Sequence, residues 1–350
     1  MNEPVISLEL VQAAGSHFDV GRAMGQRFAD KIHLALDRYD FFQQQLLPFH
    51  RTAEGQRIFS QMLEINRARY PDYIYELEGL AQGAGRDFDE LFLVNARGEY
   101  AAWVSIEAGR GCSDCAVVAA EAALIGHNED ADPAFRGNMY LVRAQVENKP
   151  TFTALAYPGF LCGNAFGMND AGICFSVDHV RPEEIRPGLA RQFIARSLLE
   201  ARSIDDAIAR VTAPGRASGF SYTVGSTIER RVVVVEVAPE THHVHEVQGC
   251  YFHTNHYRRL DAVRQQVHPS SRARLERADQ LLTGKSWLDV AGVLGLLGDE
   301  GDHPYPIYRT ATPPDGSVTH CTTLFDLDAR LMRIYTTHPL RHPQAFVVYE

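Results

Sequence analysis

The stretch Arg110-Gly111-Cys112-Ser113-Asp114-Cys115 lies where the texture of the chain changes. Upstream, the first hundred residues read as helical. Ser16 or Asp19 can cap a helix running towards Leu46, with apolar positions at Phe18, Ala23, Phe28, Ile32, Leu36 and Tyr39 and with Pro48 as its stop. A second helix fits Glu54 to Arg69, ended by Pro71. A third spans about Tyr73 to Gln82 and gives way at Gly83-Ala84-Gly85, and a short fourth begins at Asp87 or Asp89. Downstream, short β-branched or alternating runs take over: Ala116–Ala120, Leu124–Gly126, Met139–Val146, Thr151–Ala156 and Ile173–Val177. Tight Asn-Lys-Pro, Pro-Gly and Asn-Asp-Ala-Gly turns separate them. Strands this close must pair antiparallel, because a parallel crossover needs a dozen residues or more.

Helical stretches at Ala190–Glu200 and Ile204–Val211 interrupt the strands. These resume at Ser221–Gly225, Arg231–Val237, His242–Val247 and Tyr251–Thr254. Helices at Ser271–Leu282 and Trp287–Leu297 precede a hairpin of Thr322–Asp326 with Leu331–Tyr335. No internal repeat or low-complexity linker divides the chain. The predicted fold class is α+β, antiparallel sheets covered by helices.

The 350 residues are 45% hydrophobic and 22% charged, ordinary for a globular protein and too apolar for disorder. A formal charge of −10 argues against a broad nucleic-acid or anionic-membrane surface. Met1 to Leu10 alternates polar and apolar residues without a basic stretch leading into an apolar one, and no run approaches a membrane span. A cytoplasmic location is the resulting expectation. The six cysteines, Cys112, Cys115, Cys162, Cys174, Cys250 and Cys321, are too sparse for a disulfide scaffold and should be reduced there.

A Gly-Cys pair alone means little, since most strand cysteines are inert core residues. The context here is richer: Gly126-His127-Asn128-Glu129-Asp130, then Gly167-Met168-Asn169-Asp170-Ala171-Gly172, then His253-Thr254-Asn255-His256-Tyr257. Before the cysteine stand Glu76-Leu77-Glu78-Gly79-Leu80-Ala81-Gln82-Gly83-Ala84-Gly85 and Leu93-Val94-Asn95-Ala96-Arg97-Gly98-Glu99. In this order, through to the Thr319–Asp326 strand and Pro339, the motifs resemble the acyl-coenzyme A:6-aminopenicillanic acid acyltransferase family of N-terminal-nucleophile (Ntn) hydrolases. Penicillin V acylases and bile salt hydrolases are more distantly similar.

The resemblance implies a four-layer αββα sandwich and a precursor that cuts itself between Gly111 and Cys112. It implies two segments, 1–111 and 112–350, forming one domain. Gly111 has no side chain to obstruct attack on its carbonyl. The freed α-amine of Cys112, with a reference pKa near 7.7–8.0, can serve as base for its own thiol. By position, the resemblance makes Asp130 the aspartate that orients this amine and Asn255 the amide donor of the oxyanion hole. Asn128 would brace the turn presenting Asp130. No cofactor is implied, although a coenzyme A thioester is a conceivable substrate. The expected partners are a small-molecule amide or acyl donor and the chain's own cleaved N-terminal fragment.

The chain also departs from the pattern. His127 stands where bile salt hydrolases have an arginine, Glu129 where close relatives carry an aromatic, and Asp178-His179 where amide hydrolases use an asparagine or tyrosine. These departures bear on the substrate more than on the mechanism.

Other patterns have plainer readings. Cys112 and Cys115 form a C-x-x-C pair, but strands follow where a redox motif would open a helix, and no second pair completes a zinc site. His243 and His245 share a strand face, more often solvated than metal-binding. Asp130 and Asp132 lack EF-hand spacing. Gly21 and Gly25 signal close helix packing. Asp299-Glu300-Gly301-Asp302-His303 reads as an exposed acidic loop, with a substrate-rim role as the sharper alternative. Two functions remain in view: a self-processing cysteine enzyme that hydrolyses or transfers the acyl group of a small amide or thioester, and an idle relative that keeps the fold for binding. Retention of Cys112, Asp130 and Asn255 together favours the enzyme.

Overall fold

The computed structural model describes residues 7–104, 111–301, 304–341 and 345–349. Arg110 of the opening stretch, and Asp302 and His303 of the acidic loop, lie outside the described residues. The helical part comprises α1 (His17–Arg38), α2 (Leu47–His50), α3 (Ala53–Arg69), α4 (Pro71–Ala84) and α5 (Phe88–Asn95). Local chemistry sets most of these boundaries. Ser16 and Asp19 form a capping box at the start of α1, Thr52 caps α3 and Asp87 caps α5. Gly85, at φ 63°, closes α4 in the left-handed conformation.

Two expectations for this part are corrected. A strand, β1 (Leu10–Gly15), precedes the helices and pairs in parallel with β4 (Tyr140–Val146). Pro48 does not stop the first helix, which ends at Arg38; Pro48 lies in the first turn of α2, where its missing N–H costs nothing.

The remaining strands are β2 (Ser113–Val118), β3 (Ala123–Ala131), β5 (Phe152–Ala156), β6 (Phe166–Asn169), β7 (Ile173–His179), β8 (Phe220–Ser226), β9 (Arg231–Val237), β10 (His242–Glu246), β11 (Gly249–His253), β12 (Val318–Asp326), β13 (Leu331–Tyr335) and β14 (Phe346–Tyr349). Strands β6 and β14 were not anticipated: β6 has four residues and hides inside the glycine-rich motif. The later helices are α6 (Arg191–Leu198), α7 (Ile204–Val211), α8 (Pro269–Leu282) and α9 (Val290–Leu297).

The strands form an eight-stranded sheet, β1-β4-β5-β6-β7-β8-β9-β10, and a six-stranded sheet, β11-β2-β3-β12-β13-β14. Among the named strands, every pairing except β1 with β4 is antiparallel. The sheets face one another through β2, β3, β7 and β9, while α1, α6 and α7 cover the larger sheet and α8 and α9 the smaller. This is the αββα sandwich implied by the resemblance. Covering both faces explains why β3, polar in its second half, is buried along nearly its whole length.

Packing between α1 and α4 depends on glycine. A Cβ on Gly21 would lie 1.9 Å from Glu76 O, and one on Gly79 2.2 Å from Phe18 O. None of the described helices is long and apolar enough to cross a membrane.

Candidate active site

Cys112 immediately precedes β2, and the register of β2 against β3 pairs Ser113 with Asn128 and Asp114 with His127. Side chains alternate along a strand, so Cys112 and Asp114 share the face of the sheet that also carries His127 and Glu129. Cys115 points the other way, into the apolar layer of Val117, Leu124, Val293 and Leu297 beneath α9. The C-x-x-C pair is therefore split between two faces.

Within the layer between the sheets, His127 Nδ1 lies 2.6 Å from Asp114 Oδ1 and its Nε2 2.8 Å from Glu129 Oε2. Ser176 and Thr223 from the opposite sheet donate to Asp114 Oδ2 at 2.9 and 2.5 Å, and the Tyr157 hydroxyl donates to Glu129. Donor atoms of Cys112, His127 and Glu129 lie within 4.8 Å of one another. Burial works against an imidazolium at His127, yet Asp114 and the Cys112 sulfur outweigh it and hold the ring well above its ordinary value. Burial and then Glu129 push the Cys112 thiol upward, with His127 opposing. A second chain continues from this one: His253 Nδ1 lies 2.7 Å from Asp178 and Nε2 3.2 Å from Glu236. Burial and Asp114 raise Asp178 to about 7. Burial opposes the charged form of His253, but hydrogen bonds to Asp178 and Glu236 carry it to about 9.

Asp130 follows on β3, opposite Thr319 of β12. Thr319 donates to Asp130 Oδ1 at 2.6 Å, and Arg309 Nη1 lies 3.6 Å from Oδ2. Oδ2 is buried without a hydrogen-bond partner among the described residues. Burial raises the carboxyl to about 6 against the pull of Arg309 and Arg274.

Two buried arginines grip the backbone around Cys112. Arg309 Nη1 donates to the Gly111 carbonyl at 3.0 Å and its guanidinium is held by Asp315. Arg274 Nη1 donates to the Cys112 carbonyl at 2.6 Å and to Ser113 Oγ at 2.7 Å, and Nη2 to Asn255 Oδ1 at 2.5 Å. Burial, with Arg309 nearby, lowers Arg274 to about 10. Asn255 Nδ2 donates to the His179 carbonyl at 2.9 Å, which occupies one of its two N–H groups. The amide packs directly on Gly111, where a Cβ would fall 2.2 Å from it.

These groups open onto a cavity of about 370 Å³ with Cys112, Gly111, Asp130 and Asn255 in its wall. Tyr39, Phe41, Phe135 and Phe220 give it aromatic sides, and Arg97, Arg181 and Arg191 line it near His179. Tertiary structure thus gathers Gly111, Cys112, Asp130 and Asn255 at one place.

Residues 118–341 match the family of acyl-coenzyme A:6-aminopenicillanic acid acyl-transferases. The chain belongs to this family. The matched region includes Asp130 and Asn255 and begins downstream of Cys112. A curated relative, the beta-alanyl-dopamine/carcinine hydrolase of Drosophila melanogaster, is 28% identical over 95% of this chain and 94% of its own length. The 40 kDa form of the acyl-coenzyme A:6-aminopenicillanic-acid acyltransferase of Emericella nidulans is 26% identical over 73% and 72%. Among solved structures, the Caenorhabditis elegans ortholog of N-acylethanolamine-hydrolyzing acid amidase covers 62% of this chain and 93% of its own, with a TM-score of 0.43 and 14% identity. Penicillin V acylase from Agrobacterium tumefaciens covers 68% and 86%, at 0.38 and 14%. Membership of the family makes the chain an acyl-transfer or amidohydrolase type of enzyme.

Several expectations gain or change detail. Asn128 braces a strand and not a turn: it donates to Leu297 O and Ile307 O at 2.8 and 3.2 Å and accepts from Thr322 at 2.7 Å. Asp178 turns inward to His253, while His179 lines the cavity. Asp299 pairs with Arg277 and Glu300 with Arg341, and neither lines the cavity, so the rim role finds no support in the described part of that loop. His242 to Glu246 form an edge strand with alternating exposure. Arg274, Arg309, Thr319 and Tyr157 had no assigned role from sequence. The one available signal for the His127 network was the i, i+2 spacing of Cys112 with Asp114 and of His127 with Glu129.

Proposed function

We propose that this chain is a cysteine Ntn enzyme that cuts itself before Cys112 and then hydrolyses or transfers the acyl group of a small amide through a thioester. The observation that carries the reading is the setting of the Gly111 carbonyl, which accepts from Arg309 and lies against Asn255, next to Cys112. In the processing step the Cys112 sulfur attacks that carbonyl, the thiol proton passes to the departing Cys112 nitrogen, and water hydrolyses the resulting thioester. A guanidinium on the carbonyl oxygen stabilises charge that develops there.

After the cut, the Cys112 α-amine takes the thiol proton and returns it to the leaving amine of the substrate. Asp130 Oδ2, buried and without a hydrogen bond among the described residues, suits an ammonium at that position. The second N–H of Asn255 supplies an oxyanion donor. The N-terminal fragment stays attached, because β1 pairs along β4 and α1 packs on the same sheet.

For substrate, the proposal follows the hydrolase relative of near-complete coverage: an amide of a short amino acid with an aromatic or imidazole amine. The aromatic sides of the cavity suit such an amine. A cytoplasmic site of action, with the thiols reduced, belongs to the same proposal. Purified protein should show fragments 1–111 and 112–350 by intact mass, and release free amine from β-alanyl-histamine or β-alanyl-dopamine. Cys112→Ala should abolish both cleavage and turnover, while Cys115→Ala leaves both largely intact. Active enzyme consisting only of full-length chain would refute the cleavage; equal damage from the two variants would refute the assignment of Cys112.

A further inference from the structure

The imidazole of His127 sits in an arrangement that acid–base catalysis by an N-terminal amine does not require. A ring nitrogen of His127, the sulfur of Cys112 and a carboxylate oxygen of Glu129 lie within 4.8 Å of one another, close enough for one ion to bind all three. Thiolate, imidazole and carboxylate are the usual zinc donors, and three protein ligands with a fourth position left open are the pattern of accessible zinc sites. The orienting shell is also in place. A metal-bound histidine normally gives its other N–H to a carboxylate; His127 Nδ1 lies 2.6 Å from Asp114 Oδ1, and Ser176 and Thr223 fix Asp114 Oδ2. Glu129 has one oxygen beside His127 and the other held by Tyr157. All three donor residues are buried, so none is a surface chelator of chance.

From this geometry we propose that Cys112, His127 and Glu129 form a zinc site that caps the nucleophile and reversibly silences the enzyme. All three ligands belong to the folded chain, so the site does not depend on cleavage before Cys112. Where cleavage has freed the α-amine, amine and sulfur of Cys112 close a five-membered chelate and supply the fourth donor. Zinc binds the thiolate and a free lone pair of the imidazole, so protons compete for the same donors and affinity falls as pH falls. The charges are complementary: the ion meets the Cys112 thiolate and the Glu129 carboxylate, with Asp114 behind His127.

Equilibrium dialysis of the purified protein against zinc should give one tight equivalent per chain. Loss of activity should track its occupancy, and a chelator should restore it. Cobalt(II) substituted for zinc should show a sulfur-to-metal charge-transfer band together with the intense visible bands of a tetrahedral site. Cys112→Ser should abolish the charge-transfer band, and His127→Gln or Glu129→Gln should weaken zinc binding by about 100-fold or more. Asp114→Asn, which removes only the orienting carboxylate, should weaken it by about 10–100-fold. Cys250→Ser, far from the site, should change nothing. A cobalt spectrum of the wild-type protein without thiolate character would overturn the proposal whatever the variants do. So would a tight equivalent that survives Cys112→Ser or His127→Gln, which would place the metal elsewhere, for instance on His243 and His245. Because the spectrum is read on the wild-type chain, cut or uncut, a failure here is separable from failure of the proposed cleavage.

Discussion

Asp130 offers the sharpest quantitative test of the site. In the uncut chain its carboxyl is raised from 3.8 to about 6, first by burial, against the opposing pull of Arg309, Arg274 and Thr319. At about 1.36 kcal/mol for each tenfold change in proton affinity, that displacement means about 3 kcal/mol of destabilisation once the group is ionised. The sign follows from linkage. A carboxyl raised in the folded state contributes its full stability below about pH 4, and that contribution is lost as pH rises through about 6. Asparagine keeps the shape, can still accept from Thr319, and does not titrate.

In a Cys112→Ala background, which the proposed mechanism leaves uncut, Asp130→Asn should therefore change stability little near pH 4. It should raise stability by up to about 3 kcal/mol above pH 7, with the difference growing across the interval. Denaturant unfolding at a series of pH values measures this directly. Cleaved wild-type enzyme should respond differently. An ammonium beside Oδ2 stabilises the carboxylate, so there Asp130→Asn should give no such gain while lowering turnover and moving the rising limb of kcat/KM between about pH 6 and 8. A stability difference that is flat with pH would show that Asp130 is not the strained buried carboxylate. An unchanged rate and pH profile in the cleaved enzyme would show that it does not serve the amine.

Asn255→Ala should lower kcat by about 10²–10³ with little change in KM, because an oxyanion donor acts mainly in the transition state; steady-state kinetics showing a loss confined to KM would make Asn255 a substrate-binding residue. Gly79→Ala forces a methyl to within 2.2 Å of Phe18 O, a backbone atom that cannot rotate away, so it should cost about 1–3 kcal/mol. An unchanged melting temperature would refute the close packing of α1 on α4.

Much of this protein was legible from its sequence because the relevant physics is local. Ser16, Asp87 and Gly85 announce helix ends through their own side chains or their own φ, whereas the Thr52 cap emerged only from the structure. The runs at Arg231–Val237 and Leu331–Tyr335 read as strands because β-branched and alternating residues suit a pleated, buried surface. The family resemblance grouped Gly111, Cys112, Asp130 and Asn255, and all four line one cavity. Local pattern failed at β1, which gains its place by pairing with a strand more than a hundred residues away, and at β6, whose glycines read as a turn.

Which groups surround Cys112, and what each of them touches, is visible only in the tertiary structure. The sequence left His127 and Glu129 as departures without a role and gave Arg274 and Arg309 none. Arg309 reaches the Gly111 carbonyl across 198 residues of chain, and Arg274 reaches Cys112 across 162. Such contacts exist because two sheets pack face to face and bring distant strands and helices against one buried layer. Inside that layer an unpaired charge is costly, so each ionisable group takes its protonation state from the neighbours the fold provides. Spacing along the chain carries the identity of those groups; their partners and their charge follow from the packing of the sheets.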